Sequence, residues 1–549
     1  MIRLPRSGNW KSLVSSNNDQ IVPVTLNETD IERLIVRILE RLVKRGRVSS
    51  PISNDEQNGL SQIIAKLATD GELSGFGDLA GREMLRGWLK ASVISASTVG
   101  KQKKGEQIDY FIPLTAAVYR SGYPRQTSRH RKADLYAYHS MLASGHSDLD
   151  LQALITGSDA ESKSTLGETV DFGMFPLSSP KYKEDAFIDA EALLQLRALE
   201  TIVGRDATSS ETSKDFSPVE EHFKNLGEDL VYFLRAFRGE SSSFIVSGME
   251  ALLSFHLYQL PLTTSMVLSR AMAGSALDFQ ARDLELYVDF TGVGAGHSSQ
   301  ISNSCVARDF IRQRSLFQNM ITLRESDSSI RYSEKNNEYK VLSARERLLY
   351  QVKALEDQHV QDVARVRLGL LLSELDGESR QILEEEIKNI DNPIKQIAEL
   401  VIQDRQNDGL DGMRKWAYST GGLQNGMPPK NNALLVGTMS APSTWRYFLS
   451  DSMLITLVRM CFVMEGNPEE AQTPKSMPLS KLLNILESRY GVLVSRPPSS
   501  FTSAEDFAAA ALNIEAFKSR LKTLGFFEGL SDDLRAQFVP NPTNSKESR

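Results

Sequence analysis

Across residues 27–46, NETDIERLIVRILERLVKRG, apolar side chains recur every three or four positions. Ile31, Leu34, Ile35, Ile38 and Leu42 fall on one face of a predicted helix. Asn27 or Thr29 can cap its start, acids fill its first turn, and Gly46 stands just past its end. Further helices are predicted at about 54–69, closed by Asp70-Gly71, and near 80–92. Two β-like pieces follow, SVISASTV and QIDYFIPLTAAVY, joined by the polar turn GKQKKGE. Three helices and a hairpin form the element order of a winged helix-turn-helix.

Residues 156–216 are poorer in pattern, and GRDATSSETSKDFS (204–217) reads as a linker. From 217 to about 420 the chain reads as helical. In SPVEEHFKNLGEDLVYFLRAFRG, Ser217 is placed to cap, Pro218 to occupy the first turn and Glu220 to close a capping box, with Gly239 ending the helix. Val219, Phe223, Leu226, Leu230, Phe233, Leu234 and Phe237 form its apolar stripe. Two long charged helices are expected at 344–375 and 377–408. GGLQNGMPPKNN (421–432) marks a boundary. Beyond it, residues 433–540 predict an amphipathic helix, a loop, two more helices and a hairpin turning at Ser531-Asp532-Asp533, again a winged-helix order. Residues 1–20 and 541–549 read as polar tails. The expected fold class is therefore mainly α with minor β: a multidomain helical protein with winged-helix-like modules near both termini, the first spanning 21–155.

Composition alters this picture little. The 549 residues are 41% hydrophobic and 24% charged, with a net charge of −7. Any contact with nucleic acid must therefore come from a local patch rather than from the overall field. The two cysteines, Cys305 and Cys461, have no CxxC partner, which argues against a thiolate zinc site and suits a reducing cytoplasm. The amino terminus lacks a signal-peptide core. The most apolar later segment, SMLITLVRMCFVM, is too short to span a bilayer and carries Arg459. The expectation is a soluble cytoplasmic protein without a membrane partner.

Three stretches invite a catalytic reading. LELYVDFTGVGAGHSSQ (284–300) is a strand followed by alternating glycines. Its spacing is GxGxG, it has no lysine, and the helix behind it is expected to start only near Ser304, so it reads as a connection. HFKNLGED (222–229) fits the H-x-K-x4-D pattern of phospholipase-D-like phosphodiesterases. On a helix, however, His222 and Asp229 share a face while Lys224 points away. Asp327 with Glu338-Tyr339-Lys340 could serve a Mg-dependent nuclease if the tripeptide lay on a strand, although a surface hairpin is the simpler reading. The seven histidines form no ligand-spaced pairs, and no metal or cofactor is expected.

The basic cluster is more informative. Between 101 and 132 stand Lys101, Lys103, Lys104, Arg120, Arg125, Arg129, Arg131 and Lys132 against only Glu106 and Asp109, a local excess of +6. Tyr119, Tyr123 and His130 interleave with the arginines, which suits phosphate contact with stacking on bases. A solvated charged loop is the plain alternative. Lys518, Arg520 and Lys522 form a smaller stripe near the carboxyl end, where a phosphate grip competes with a protein-docking role.

The segments YFLSDSMLITLV, LLNILESRYGVLV, NIEAFKSRLKTLGFFEGLSDD and QFV resemble the C-terminal unit of bacterial defence-island proteins. These are accessory components of multi-gene anti-phage systems. Similar ends occur in partners of phosphorothioation-dependent restriction and of methylation-associated defence, and size and character also suit a subunit of the Druantia type I system. The resemblance implies a non-catalytic subunit of such a system; taken with the basic cluster, the expectation is that it binds DNA, other subunits of its system, or both. A Mg-dependent nuclease and a transcriptional regulator are the alternatives.

Overall fold

The computed structural model describes residues 4–5, 8–12, 21–43, 45–47, 77–91, 93–97, 107–111, 130–156, 170–171, 181–182, 219–237, 240, 242–274, 284–527 and 537–541. It is mainly helical, with strands of two to five residues that pair only two at a time.

The amino-terminal elements are α1 (Ile31–Val43), α2 (Leu79–Ala91) and an antiparallel pair, β1 (Val93–Ser97) with β2 (Gln107–Phe111), in the register Ser97↔Gln107. All five apolar residues predicted for the face of α1 are buried. The helix predicted at 54–69 and the turn 98–106 lie outside the described residues. Next come α3 (Ala133–Ala143), α4 (Asp148–Thr156) and a short pair, β3 (Val170–Asp171) with β4 (Lys181–Tyr182).

Two adjoining helices build the interior. In α5 (Glu220–Ala236) the predicted stripe is buried, but the N-cap is Val219 and no side chain caps it. Ser217, Pro218 and Gly239 lie outside the described residues. Helix α3 crosses α5 closely at Gly227, where a Cβ would meet the Ser140 carbonyl oxygen at 2.0 Å. Only a residue without a side chain permits that approach. Helix α6 (Ser242–Met272) is buried nearly all round from Ile245 to Leu268, so it shows no polar face.

A parallel ribbon joins distant parts of the chain. β5 (Leu286–Tyr287) leads into α7 (His297–Arg331), the longest helix, and pairs with β9 (Val492–Leu493). Helix α7 packs on α6. It also packs on a layer formed by α8 (Asn336–Val341), α9 (Ala344–Ala354), α10 (Gln358–Ser373), α11 (Gly377–Ile387) and α12 (Pro393–Thr420). The two long helices expected at 344–375 and 377–408 are thus four. Asp357 and Asn392 each accept two backbone N–H bonds and start a fresh helix, the second with Pro393 in its first turn.

The carboxyl-terminal part adds β6 (Leu435–Val436) paired with β7 (Arg446–Tyr447), then α13 (Asp451–Glu465), β8 (Ser476–Pro478), α14 (Leu479–Tyr490), β9, α15 (Ala504–Thr523) and β10 (Phe538–Pro540). β10 pairs with β8, ahead of α14, and the turn predicted at Ser531-Asp532-Asp533 lies outside the described residues. Arg459 interrupts the apolar face of α13 and is accommodated over the Phe244 ring at 4.5 Å and the Phe237 ring at 5.7 Å. No helix of the described residues is long and apolar enough to cross a membrane.

Candidate functional site

Of the cations of the predicted basic patch, Arg131 and Lys132 fall among the described residues. Lys101, Lys103, Lys104, Arg120, Tyr123, Arg125 and Arg129 lie outside them. Arg131 and Lys132 both take the left-handed backbone conformation, at φ 53° and 64°, just before α3. Arg131 Nε donates to the Glu28 carbonyl at 3.0 Å, and its own carbonyl accepts from Thr25 N–H at 2.9 Å. These bonds hold the end of the patch against the segment that precedes α1. The carboxyl-terminal stripe divides. Lys518 is buried with Nζ 2.6 Å from Glu515, Arg520 reaches Asp451 at 2.5 Å, and Lys522 is exposed.

The catalytic candidates resolve individually. Helix α7 begins at His297, directly after Gly296, rather than near Ser304, so the glycines do lead into a helix N-terminus. Its positive end already faces an internal anion. The buried Asp289 carboxylate accepts from Ser298 Oγ at 2.8 Å, Ser299 Oγ at 2.5 Å and Thr291 at both N and Oγ1, and Arg446 Nε lies 3.5 Å away. That carboxylate occupies the role a bound phosphate would play. Glu338-Tyr339-Lys340 lies on α8, on neither a strand nor a hairpin. Tyr339 is buried between two exposed charges, and Asp327 is engaged by the Tyr339 hydroxyl and by Arg331.

His222 and Asp229 share the buried face of α5, while Lys224 is 56% exposed and lies beside Glu228. The buried face holds a network that spans three elements. Asp229 accepts from His256 Nε2 of α6 at 2.8 Å and from Arg489 of α14 at 2.9 and 2.6 Å. Arg489 also reaches Glu228 at 3.1 Å, and His222 Nε2 lies 3.0 Å from the His256 carbonyl oxygen. Burial works to raise the Asp229 pKa, yet Arg489 and His256 hold it below the ordinary aspartate value. Sequence reading found the shared face but missed His256 and Arg489. The available signal was polar residues set within apolar helical stripes, His256 inside the long run of α6 and Asp229 inside that of α5.

A second titratable group behaves differently. Burial, with Glu32 and Asp30 adding to it and Lys430 opposing, pushes the Glu250 pKa up to about 7. The neutral acid is therefore favoured in the fold. Its contribution is complete below the unfolded value near 4.5 and disappears as the pH rises through 7. Replacing Glu250 by glutamine is expected to raise stability at pH 8 by on the order of 2 kcal/mol and to change little at pH 4.5. Urea midpoints at the two pH values check this.

Beside the network opens a polar cleft of about 730 Å³ between α6, β5, α7, α14 and the segment after β9. Arg270, Arg312 and Arg496 line it together with Glu285, Glu487 and five serines. A smaller cavity of about 40 Å³ shares Leu284, Glu487 and Ser488 with the cleft and runs back to His222, Gln259 and Arg489. Ion pairs set the arginine orientations. Arg496 binds Glu487 at 2.6 Å, Arg312 binds Asp309 at 2.8 Å, and Arg308 lies 3.6 Å from Glu285. Among the described residues no three His, Cys, Asp or Glu side chains gather as a metal site.

By fold, then, the molecule is a mainly helical protein organised round long interior helices, with a charged cleft at the junction of its centre and its carboxyl-terminal part. Its sequence identifies the lineage. Residues 11–542 match the family described as methylation-associated defense system protein MAD7, and the chain belongs to that family. It is thus a component of an anti-phage defence system, as the resemblance of its carboxyl-terminal segments implied. The match lends no support to a Druantia type I subunit. No curated protein and no solved structure matches the chain.

Proposed function

We propose that the chain is a non-catalytic subunit of a methylation-associated defence system that holds DNA through the 101–132 patch and binds other subunits of the system. The observation that carries this reading is the family match over nearly the whole length. The basic patch, anchored at Arg131 to the segment before α1, supports a DNA contact next to the β1–β2 hairpin.

A winged-helix reading of the carboxyl-terminal part is supported by its order α13, β8, α14, β9, α15, β10 with β8 and β10 paired, β9 pairing instead with β5. Lys518 and Arg520 are committed to Glu515 and Asp451, which favours a protein-docking role for this module over a phosphate grip. The catalytic steps then belong to another gene product. The two cysteines, both buried free thiols, suit work in the cytoplasm.

In cells carrying the whole defence system, removal of this chain is expected to restore phage plating to the level of cells without the system. Affinity-tagged chain should co-purify other subunits of the system, and divalent metal should not elicit DNA cleavage by the chain alone. Undiminished defence without the chain contradicts the proposal. So does metal-dependent cleavage that Glu338→Ala abolishes.

A further inference from the structure

We infer that the cleft between α6, α7 and α14 is a binding site for a nucleotide, a small phosphate ester with a sugar and a base. A volume of about 730 Å³ lies within the range of small-ligand sites, so a mononucleotide fits. The lining supplies the three kinds of group such a ligand needs.

The cations come from three separate elements: Arg270 near the end of α6, Arg312 in α7 and Arg496 after β9. Guanidinium groups bind phosphate oxygens in forked geometry. Asp309 orients Arg312 through one Nη, whereas Arg496 gives Nε and Nη2 to Glu487 and Nη1 to the Pro497 carbonyl, so a phosphate would draw mainly on Arg270 and Arg312. Ser269 and Ser488 line the cleft beside them, and a serine hydroxyl can donate to a phosphate oxygen. Ser265, Ser315 and Ser499 already donate to the Arg312 carbonyl, the Ile311 carbonyl and Glu285.

Glu285 and Glu487 supply what a bare phosphate site lacks. As carboxylates they accept hydrogen bonds from ribose hydroxyls or from the amino group of a base. Their charge also limits the cleft's excess to one cation among the lining residues, which disfavours the polyanionic backbone of DNA relative to a small ligand. The apolar wall consists of Met266, Leu284, Ile311 and Leu493. Ile311 is 68% exposed, on the outward stripe of α7 that also carries Ser304, Ala307 and Arg314. The face of a base would cover it.

The test is calorimetric titration of the full chain with ATP, AMP, inorganic pyrophosphate and inorganic phosphate at low ionic strength. ATP or AMP is expected to bind, more tightly than either inorganic anion. Arg270→Ala is expected to weaken that binding about tenfold or more, as loss of a charged hydrogen-bond donor does. Ser269 is exposed, so Ser269→Trp fills the cleft without disturbing the interior and should abolish binding with the melting temperature unchanged. The inference is overturned if the folded chain binds none of the four. It is overturned equally if Ser269→Trp binds as the parent does, or if pyrophosphate binds as tightly as ATP. In those cases the arginine–glutamate pairs serve only to join α7, β5 and the segment after β9.

Discussion

Replacing Arg489 by alanine is expected to destabilise the protein by about 3–5 kcal/mol, the scale for leaving a buried charge without its partner. Asp229 is fully buried, and Arg489 supplies two of its hydrogen bonds across the α5–α14 junction. Without the guanidinium, burial and the neighbouring Glu228 both act against the ionised form of Asp229. Lysine at 489 would restore the charge but not the fork that spans Asp229 and Glu228, so recovery should be partial.

Pairing Arg489→Met with Asp229→Asn removes both charges, and the double variant should be destabilised by less than the sum of the two single changes. The dependence on pH has a definite sign. Asp229 sits below the ordinary aspartate pKa in the fold, so its contribution is present above about pH 4 and is lost as the pH falls through the lower folded value. Chemical denaturation at pH 7 of the Arg489→Ala variant and of the four proteins of this cycle checks the account. An Arg489→Ala loss under about 1 kcal/mol, the scale of an exposed pair, would contradict it.

Much of the fold could be read from local pattern. The stripes of α1 and α5, the β1–β2 hairpin and the helix ending at Gly491 depend on residues close in sequence, where helical periodicity and glycine at a positive φ act directly. Pairings between distant residues escaped. β5 meets β9, and β10 meets β8, through strands of two or three residues that carry no alternation to detect. Helix α6 was legible only as helical, because a helix buried on every side loses the amphipathic signal. The two helices that became four show the reverse case. Asp357 and Asn392 look like ordinary polar positions until their side-chain oxygens are seen to cap.

The site was legible to a smaller degree for the same reason. That His222 and Asp229 share a face of one helix follows from helical geometry alone. That His256 and Arg489 meet Asp229 depends on tertiary packing across 27 and 260 residues of chain. The cleft is likewise built from α6, α7 and the segment after β9, and no contiguous motif announces it.

The second large effect concerns DNA. Eight cations in 32 residues, on a chain of net charge −7, make the 101–132 segment the natural place for phosphate contact. Arg131 is best left intact, because its guanidinium holds the Glu28 carbonyl and its loss would confuse folding with binding. Replacing Lys101, Lys103, Lys104, Arg120, Arg125 and Arg129 by alanine removes the remaining cations except Lys132. Each phosphate neutralised contributes about 0.9 to the slope of log affinity against log salt, so six contacts account for a slope near 5. A protein with that many contacts loses about a thousandfold or more in affinity between 50 and 200 mM salt.

The measurement that tests the central claim most directly is the salt dependence of duplex DNA binding by the purified chain beside this six-residue variant. The account predicts binding by the parent that weakens steeply with salt, and a variant whose affinity at low salt and salt slope both collapse. Parent protein that fails to bind DNA at low salt, or a variant that binds with an unchanged slope, would contradict it.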